Sequence, residues 1–186
     1  MLLQDKVVIV TGAGGGLGAG IARVCAREGA RVVVADVRGD AATTVAAELD
    51  GATAVACDLR QDTALDELVD HTLASCGRID GLVNNAGANF AKPFLETTEQ
   101  DWEWVVSLDL RAVFFLTQKV CRHMLSQGTG GSIVNISSVH SQSCLAGAGP
   151  YDAAKWGVVG MGKSMAVELA PQGIRVNAIS PGLLNT

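Results

Sequence analysis

The 186-residue chain is long enough to bury a full hydrophobic core, and we expect a single domain over residues 1–186. It is 48% hydrophobic and 18% charged, a balance that excludes a disordered chain. The net charge of −5 argues against nucleic acid or an anionic membrane as a partner, and no apolar run is long enough to span a bilayer. Five scattered cysteines, with neither a Cys-x-x-Cys pair nor a signal-peptide pattern, are typical of a cytoplasmic protein with reduced thiols and no metal site.

Short apolar runs alternate with segments of helical periodicity along the whole chain. The apolar runs predict six strands, at residues 6–10, 31–35, 53–57, 79–83, 133–136 and 174–179. Helices are predicted at 17–28, 41–49, 62–76, from a cap at Thr97 or Thr98 to about Met124, and at 151–169. Strands that are apolar on both faces and alternate with helices imply an α/β fold with a parallel sheet and right-handed crossovers.

The first strand leads directly into a glycine-rich turn, Thr11-Gly-Ala-Gly-Gly-Gly-Leu-Gly18, which opens the first helix. Glycine lets the backbone turn tightly and approach a pyrophosphate, and the helix N-terminus offers free N–H groups to it. A glycine-rich connection without a ligand is the alternative, but the strand–turn–helix context favours dinucleotide binding. The cofactor-binding candidates in this turn are Gly12, Gly14, Gly15, Gly16, Leu17 and Gly18.

Asp36 ends the second predicted strand, where a carboxylate can accept hydrogen bonds from the 2′- and 3′-hydroxyls of an adenosine ribose. The same charge repels a 2′-phosphate, and Gly15 occupies the place where a basic side chain would help to bind one. The sequence therefore favours NAD over NADP. Arg38 is the counter-argument, because it could swing towards a phosphate, and a solvated loop arginine is its alternative role.

Tyr151, the only tyrosine of the chain, lies four residues before Lys155, so that a helix would place both on one face. A phenol titrates at ~10, and a neighbouring ammonium favours the phenolate, so this pair could exchange protons with an alcohol or a carbonyl. Ser138 follows the fifth predicted strand and could hydrogen-bond the same substrate oxygen. A helix with a chance Tyr and Lys is the alternative, unless the chain builds a cofactor site beside them. His140 either lines the substrate pocket or has no catalytic role.

Five motifs occur in the order and rough spacing of one known family. They are Thr11-Gly12-x-x-x-Gly16-x-Gly18, Asn84-Asn85-Ala86-Gly87, Ser138, Tyr151-x-x-x-Lys155 and Pro181-Gly182. Together they resemble the classical short-chain dehydrogenase/reductase family over essentially the whole chain. The resemblance implies a Rossmann-type, doubly wound parallel sheet in three α/β/α layers. It also implies an oxidoreductase that transfers hydride between NAD(P) and a secondary alcohol or ketone, such as a sugar, a polyol or a 3-oxoacyl compound.

The resemblance also implies a role for each matching residue. Tyr151 would be the catalytic acid/base, Lys155 would lower its pKa and hold the nicotinamide ribose, and Ser138 would orient the substrate oxygen. Asp58 resembles the residue that contacts the adenine, and the Asn84 amide would tie the central strands together. The other cofactor-contact candidates are Leu59, Asn85, Ala86, Gly87, Pro181, Gly182 and Thr186.

One catalytic position departs from the family pattern. The family places an asparagine in a stretch like Val-Asn-Leu, where largely its backbone carbonyl supports a water that links the catalytic lysine to solvent. The matching residue here is Asp109, in Ser107-Leu-Asp-Leu110. It could keep the backbone role, or pair with Lys155 and shift the pH dependence of catalysis. We count Asp109 among the catalytic candidates.

The second departure is length, because family members usually continue past the Pro-Gly segment into a substrate-covering loop and a further parallel strand. We therefore expect a C-terminally short sheet whose sixth strand is an open edge. A short full-length protein and a fragment both fit this pattern. The alternative function is a non-catalytic dinucleotide-binding or subunit-interaction protein without a substrate lid.

The family resemblance implies a homodimer or homotetramer formed through the helices at 101–124 and 151–169. Apolar residues on these helices either provide that surface or belong to the ordinary core. They are Val105, Val113, Leu116, Val120, Val158, Val159 and Met165. A small-molecule alcohol or carbonyl substrate is the other partner that the resemblance implies.

Overall fold

The computed structural model describes residues 1–184, in which parallel strands alternate with helices. The strands are β1 Val7–Thr11, β2 Arg31–Asp36, β3 Thr53–Ala56, β4 Gly81–Asn84, β5 Gly131–Ile136 and β6 Ile174–Ile179. The α-helices are α1 Gly16–Arg27, α2 Gly39–Ala47, α3 Asp62–Cys76, α4 Glu99–Val106, α5 Val113–Gln127 and α6 Gly149–Leu169. No helix in the described part of the chain is both long and apolar enough to cross a membrane.

The six strands form one parallel sheet in the order β3-β2-β1-β4-β5-β6. The order reverses between β1 and β4, and such a reversal opens a crevice beyond the carboxyl ends of the strands. This is the doubly wound, Rossmann-type sheet that the sequence predicts. Within residues 1–184, β6 pairs with β5 from Ile174 to Ile179 and forms one edge of the sheet.

Helices cover both faces of the sheet because successive side chains of a strand point to opposite sides. Val8 and Val10 of β1 belong to one core with α1 and α2. Ile9, between them, belongs to the other core, which includes Leu65 of α3 and Leu116 of α5. All five residues of β1 are buried, as expected for a strand covered on both sides. The predicted three-layer α/β/α arrangement is confirmed.

The long helical region after β4 begins at the predicted cap and contains a turn that the sequence did not predict. Thr98 Oγ1 accepts a hydrogen bond from Asp101 N at 3.2 Å, and Asp101 Oδ2 accepts one from Thr98 N at 2.9 Å, which together form a capping box. Between α4 and α5 the backbone is a π-helix over Ser107–Ala112. The helix ends at Gln127, where Gly128 takes a left-handed conformation with φ 68°.

The sequence allowed seven apolar residues of α4, α5 and α6 to belong either to a partner surface or to the core, and most of them belong to the core. Val105, Val113, Leu116, Val120 and Val158 are buried, and Val159 and Met165 are half-buried. Other apolar side chains of the same helices are exposed. They are Trp102, Trp104, Phe114, Phe115, Leu125, Trp156 and Val167.

Candidate functional site

The glycine turn packs so closely on the end of β4 that side chains are excluded from two of its positions. Gly12 has φ +61°, and a Cβ built on it would lie 2.8 Å from Ala86 Cα. A Cβ on Gly18 would overlap the carbonyl oxygen of Gly12. Asn85 Nδ2 fastens the turn by donating to Thr11 O at 2.9 Å and to Gly12 O at 3.1 Å. The turn therefore leaves backbone N–H groups at the N-terminus of α1 open to a phosphate.

Asp36 is fixed at the carboxyl end of β2 by backbone N–H groups. Its Oδ2 accepts from Gly14 N at 2.9 Å, and its Oδ1 accepts from Arg38 N at 2.9 Å. The Arg38 guanidinium stays near the same carboxylate, with Nε 3.6 Å from Oδ1. It also reaches the turn, because Arg38 Nη2 is 3.4 Å from where a Cβ on Gly15 would be. An acidic and a basic group thus both lie where an adenosine ribose would sit.

Asp58 follows β3 and is paired with an arginine that sequence analysis did not single out. Arg60 Nε lies 2.9 Å from Asp58 Oδ1, and Arg60 Nη2 lies 2.8 Å from Oδ2, which makes a bidentate pair. The Arg60 guanidinium lowers the pKa of the Asp58 carboxyl. The Asp-x-Arg spacing could have signalled this pair.

Two adjoining clefts lie at the carboxyl ends of the strands. The first, of about 430 Å³, is lined by predicted cofactor-binding residues together with their neighbours; these are Gly12, Gly15, Leu17, Gly18, Asp36, Arg38, Asp58, Leu59, Arg60, Asn85, Ala86 and Gly87. The second, of about 350 Å³, is lined by Leu17, Asn85, Gly87, Ser138, Tyr151, Lys155, Pro181 and Gly182. The clefts share Leu17, Asn85, Gly87 and Ala88. The structure thus brings the predicted cofactor residues beside Ser138, Tyr151 and Lys155, while Thr186 lies outside the described residues.

Lys155 is buried beside Tyr151 on the face of α6 that borders the second cleft. Its side chain is 5% exposed, and Nζ donates to Ile136 O at 3.2 Å. Nζ also lies 5.3 Å from the centre of the Tyr151 ring. The i, i+4 spacing therefore places the two side chains together, as the sequence predicts.

Asp109 projects from the π-helical turn and forms a buried ion pair with the same lysine. Its Oδ2 lies 3.1 Å from Lys155 Nζ, although without favourable hydrogen-bond angles, and its Oδ1 accepts from Ala88 N at 2.8 Å. Burial raises the pKa of the Asp109 carboxyl, although the Lys155 charge and the Ala88 N–H act in the opposite direction. A Cβ on Gly87 would lie 2.7 Å from Asp109 Oδ2, so the glycine makes room for this carboxylate.

Ser138 and Asn84 lie at the carboxyl ends of two central strands, Ser138 just beyond β5 and Asn84 at the end of β4. The Ser138 hydroxyl is buried just beyond β5, and its Oγ accepts from His140 N at 3.2 Å. Asn84 Nδ2 donates to Asn135 Oδ1 at 2.8 Å and to Thr117 Oγ1 at 2.9 Å. The Asn84 amide thus ties β4 to β5 and to α5, in agreement with the role that the resemblance implies.

A doubly wound sheet with a glycine-lined crevice and a tyrosine–lysine pair at its edge is the architecture of a dinucleotide-binding oxidoreductase. The sequence profile of the short chain dehydrogenase family matches residues 6–186. The chain belongs to this family, in its classical form, and the predicted family assignment is confirmed.

Several curated relatives are similar over nearly the whole chain. D-threitol dehydrogenase of Mycolicibacterium smegmatis is 39% identical over 188 residues, which are 99% of this chain and 72% of the relative. Meso-2,3-butanediol dehydrogenase of Serratia marcescens is 38% identical, covering 100% and 74%. The 3-oxoacyl-[acyl-carrier-protein] reductase of Thermotoga maritima is 37% identical, covering 100% and 77%. These relatives identify the chain as an oxidoreductase of the alcohol and ketone class.

Solved structures share the fold closely. The 3-ketoacyl-(acyl-carrier-protein) reductase of Brucella melitensis, complexed with NADH, has a TM-score of 0.94 at 34% identity and covers 97% of this chain and 76% of its own. A short chain dehydrogenase of Mycobacterium smegmatis has a TM-score of 0.94 at 35% identity, covering 99% and 79%. At these identities the likeness supports the family as well as the fold.

Proposed function

We propose that this protein is an NAD-dependent dehydrogenase/reductase that interconverts a secondary alcohol and a ketone. The observation that carries the proposal is the position of Tyr151 and Lys155, which line a cleft continuous with the glycine turn. The residues present fit a dinucleotide, because glycines of the turn and Asp36 line the same cleft, where a backbone without side chains can approach a pyrophosphate.

The chemistry divides between the cofactor and three side chains. NAD(H) supplies or accepts the hydride when bound. In reduction, Tyr151 gives its phenolic proton to the carbonyl oxygen, and in oxidation it takes the proton of the alcohol. The Ser138 hydroxyl already accepts a hydrogen bond from His140 N, which leaves its own proton for the substrate oxygen. Lys155 holds a positive charge beside the Tyr151 ring, with Nζ 5.3 Å from the ring centre.

The cofactor preference follows from the two charged groups at the ribose end. The Asp36 carboxylate, held by Gly14 N and Arg38 N, favours ribose hydroxyls and repels a 2′-phosphate. Calorimetric titration should show NADH binding at least about tenfold more tightly than NADPH, a difference of about 1.4 kcal/mol in binding free energy. Asp36→Ala should reduce this preference for NADH over NADPH, and Arg38→Ala should increase it. Tighter binding of NADPH than NADH by the unaltered protein would contradict the assignment.

The catalytic part is tested by replacing the phenol alone. Tyr151→Phe should abolish turnover and leave NADH affinity within about twofold, because the missing hydroxyl transfers the proton and the ring remains. The assay is NADH formation or oxidation with D-threitol, meso-2,3-butanediol, D-galactose and a 3-oxoacyl thioester with its alcohol. Retained turnover in Tyr151→Phe would falsify the catalytic assignment.

The second candidate is a non-catalytic dinucleotide-binding protein, because the first cleft and its glycine turn would serve cofactor binding alone equally well. NADH binding without turnover of any panel compound would favour it. Turnover that is lost in Tyr151→Phe would exclude it.

A homodimer or homotetramer formed through α4, α5 and α6 is also proposed, on the exposed aromatic side chains of these helices. Phe114 and Phe115 on α5 and Trp156 on α6 are 39%, 37% and 51% exposed. Light scattering after size exclusion should give a multimer that Phe114→Asp converts towards monomer, while Val167→Asp, at an 80% exposed position of α6, serves as the control. A monomeric parent protein would contradict this proposal.

A further inference from the structure

A histidine and an aspartate form a second, largely buried pair next to Tyr151. His140 lies in the short 3₁₀ turn Val139–Ser141, and its Nδ1 is hydrogen-bonded to Asp152 Oδ1. The two side chains are 14% and 10% exposed. Because a carboxylate can only accept, Nδ1 carries the proton of this bond. The contact ties the turn after β5 to the first turn of α6.

The same histidine touches both proposed catalytic hydroxyl residues. Its ring packs edge to face on Tyr151, with ring centres 5.3 Å apart and planes at 79°. Its backbone N donates to Ser138 Oγ at 3.2 Å, and Ser141 Oγ donates to Ser138 O at 2.7 Å. The orientation of the Tyr151 ring and the free proton of Ser138 therefore both depend on where this turn is held.

A second basic residue also lies beside the Tyr151 ring. Lys155 Nζ lies 5.3 Å from the ring centre, and Lys155 is paired in turn with the buried Asp109. The phenol ring thus contacts two basic residues, and each is fixed by its own carboxylate. Side chains packed on two sides restrict a ring that would otherwise rotate about its Cα–Cβ bond.

We propose that His140 and Asp152 are positioning residues, which hold the Tyr151 ring and the Ser138 hydroxyl in the geometry that proton transfer needs. The proposal rests on the proposed function and deepens it, because these residues act through Tyr151 and Ser138 and do not themselves exchange protons with substrate. Small misplacements of a reacting group can cost up to about 100-fold in rate. The pair is therefore expected to affect kcat more than substrate or cofactor binding.

Four variants separate the effect of the His140 ring from the effect of its hydrogen bond to Asp152. His140→Phe keeps a ring against Tyr151 but leaves Asp152 unpaired, whereas His140→Asn keeps an N–H donor near the Nδ1 position and loses the ring. Asp152→Asn keeps an oxygen that can accept from Nδ1, and Asp152→Ala removes it. His71→Phe, at an exposed position on α3, is the matched control.

The expected result is a loss of about tenfold or more in kcat for His140→Phe, His140→Asn and Asp152→Ala, with KM and the NADH dissociation constant within twofold. Asp152→Asn should recover most of the rate lost in Asp152→Ala, and His71→Phe should match the parent protein. The substrate is whichever compound of the panel above turns over fastest. If kcat per folded molecule is unchanged and only the melting temperature falls, His140 and Asp152 contribute to stability alone. That result would overturn the proposal.

A second readout needs no turnover, because Tyr151 is the only tyrosine in the chain. Protein labelled with ¹³C in the tyrosine ring gives signals from this residue alone. We expect them to shift and their ring-flip rate to rise in His140→Asn, and to stay in place in His71→Phe. If the signals stay in place in every folded variant, His140 and Asp152 do not position Tyr151 and the proposal is refuted. This outcome does not depend on the Tyr151→Phe result, which tests the proposed catalytic role.

Discussion

Replacing Asp109 with asparagine tests the most unusual feature of the site, a buried carboxylate beside the proposed catalytic lysine. The side chain has no exposed surface, and its Oδ2 lies 3.1 Å from Lys155 Nζ. Asp109→Asn removes one negative charge and keeps the size of the side chain. Its amide oxygen can still accept from Ala88 N, which now bonds Asp109 Oδ1. The variant thus isolates the effect of the charge.

The size of the effect can be worked from two distances. Asp109 Oδ2 is 3.1 Å from Lys155 Nζ, which is 5.3 Å from the centre of the Tyr151 ring, so the carboxylate lies within about 8 Å of the ring centre. Two unit charges at that separation interact by about 2 kcal/mol at an effective dielectric constant of about 20. Solvent in the open cleft reduces this figure, and we expect about one pH unit. Because the charge that is removed opposes a phenolate, the pH–rate profile for alcohol oxidation should move to lower pH.

The assay is kcat/KM for oxidation as a function of pH, with the single-tyrosine phenolate absorbance followed in parallel. Burial raises the pKa of Asp109, so the carboxylate becomes neutral at acid pH sooner than an exposed one would. The profiles of parent and variant should therefore converge at acid pH, where the Asp109 carboxyl is neutral, differ at intermediate pH, and converge again on the alkaline plateau. Asp66→Asn, which removes an exposed carboxylate paired with Lys119, is the control and should change nothing. An Asp109→Asn profile that coincides with the parent's at every pH would refute the electrostatic reasoning.

Three further predictions concern stability. Asn84→Leu should lower the free energy of unfolding by about 2–4 kcal/mol in urea titrations, because it leaves the buried Asn135 Oδ1 without its donor; loss below about 0.5 kcal/mol would contradict this. Thr98→Ala should cost about 1 kcal/mol by the same assay through loss of the capping box, and equal stability would contradict it. Lys92 lowers the pKa of Asp101 from 3.8 to about 2, so the stability that this carboxylate contributes is present above pH 3.8 and is lost as the pH falls towards 2. In Asp101→Asn the free energy of unfolding should therefore depend less on pH in that window, and an unchanged pH dependence would count against the pairing.

The fold could be predicted because its signals are local and repeated. The strands β1 and β2 are covered on both faces, so each appears as an uninterrupted apolar run such as the one ending at Thr11. The glycine turn and the predicted N-cap at Thr98 mark element ends through backbone requirements that few residue types meet. Strand and helix bounds shifted by one to a few residues, as expected where ends are set by tertiary pairing.

Charge pairs at the site were harder to predict, since they depend on distances between segments far apart in sequence. Asp109 and Lys155 are 46 positions apart, and the sequence left their pairing as one of two alternatives. Helical periodicity across residues 107–112 gave no sign of the π-helix that carries Asp109, because six residues are too few to reveal a change of phase in the apolar pattern. The Asp152 contact of His140 joins the turn after β5 to the first turn of α6, whose approach depends on the packing of α6 on β5.

The π-helical turn and the aspartate explain each other. A π turn rotates the residues that follow it relative to an α-helix, and such turns occur often at functional sites. Here it directs Asp109 towards Lys155, while Gly87 leaves the space that the carboxylate fills. A buried lysine charge without a partner would be costly, and a carboxylate at 3.1 Å offsets that cost. The same carboxylate offsets part of the positive charge that Lys155 presents to Tyr151, so the ion pair that stabilises the buried lysine also weakens the electric field at the phenol.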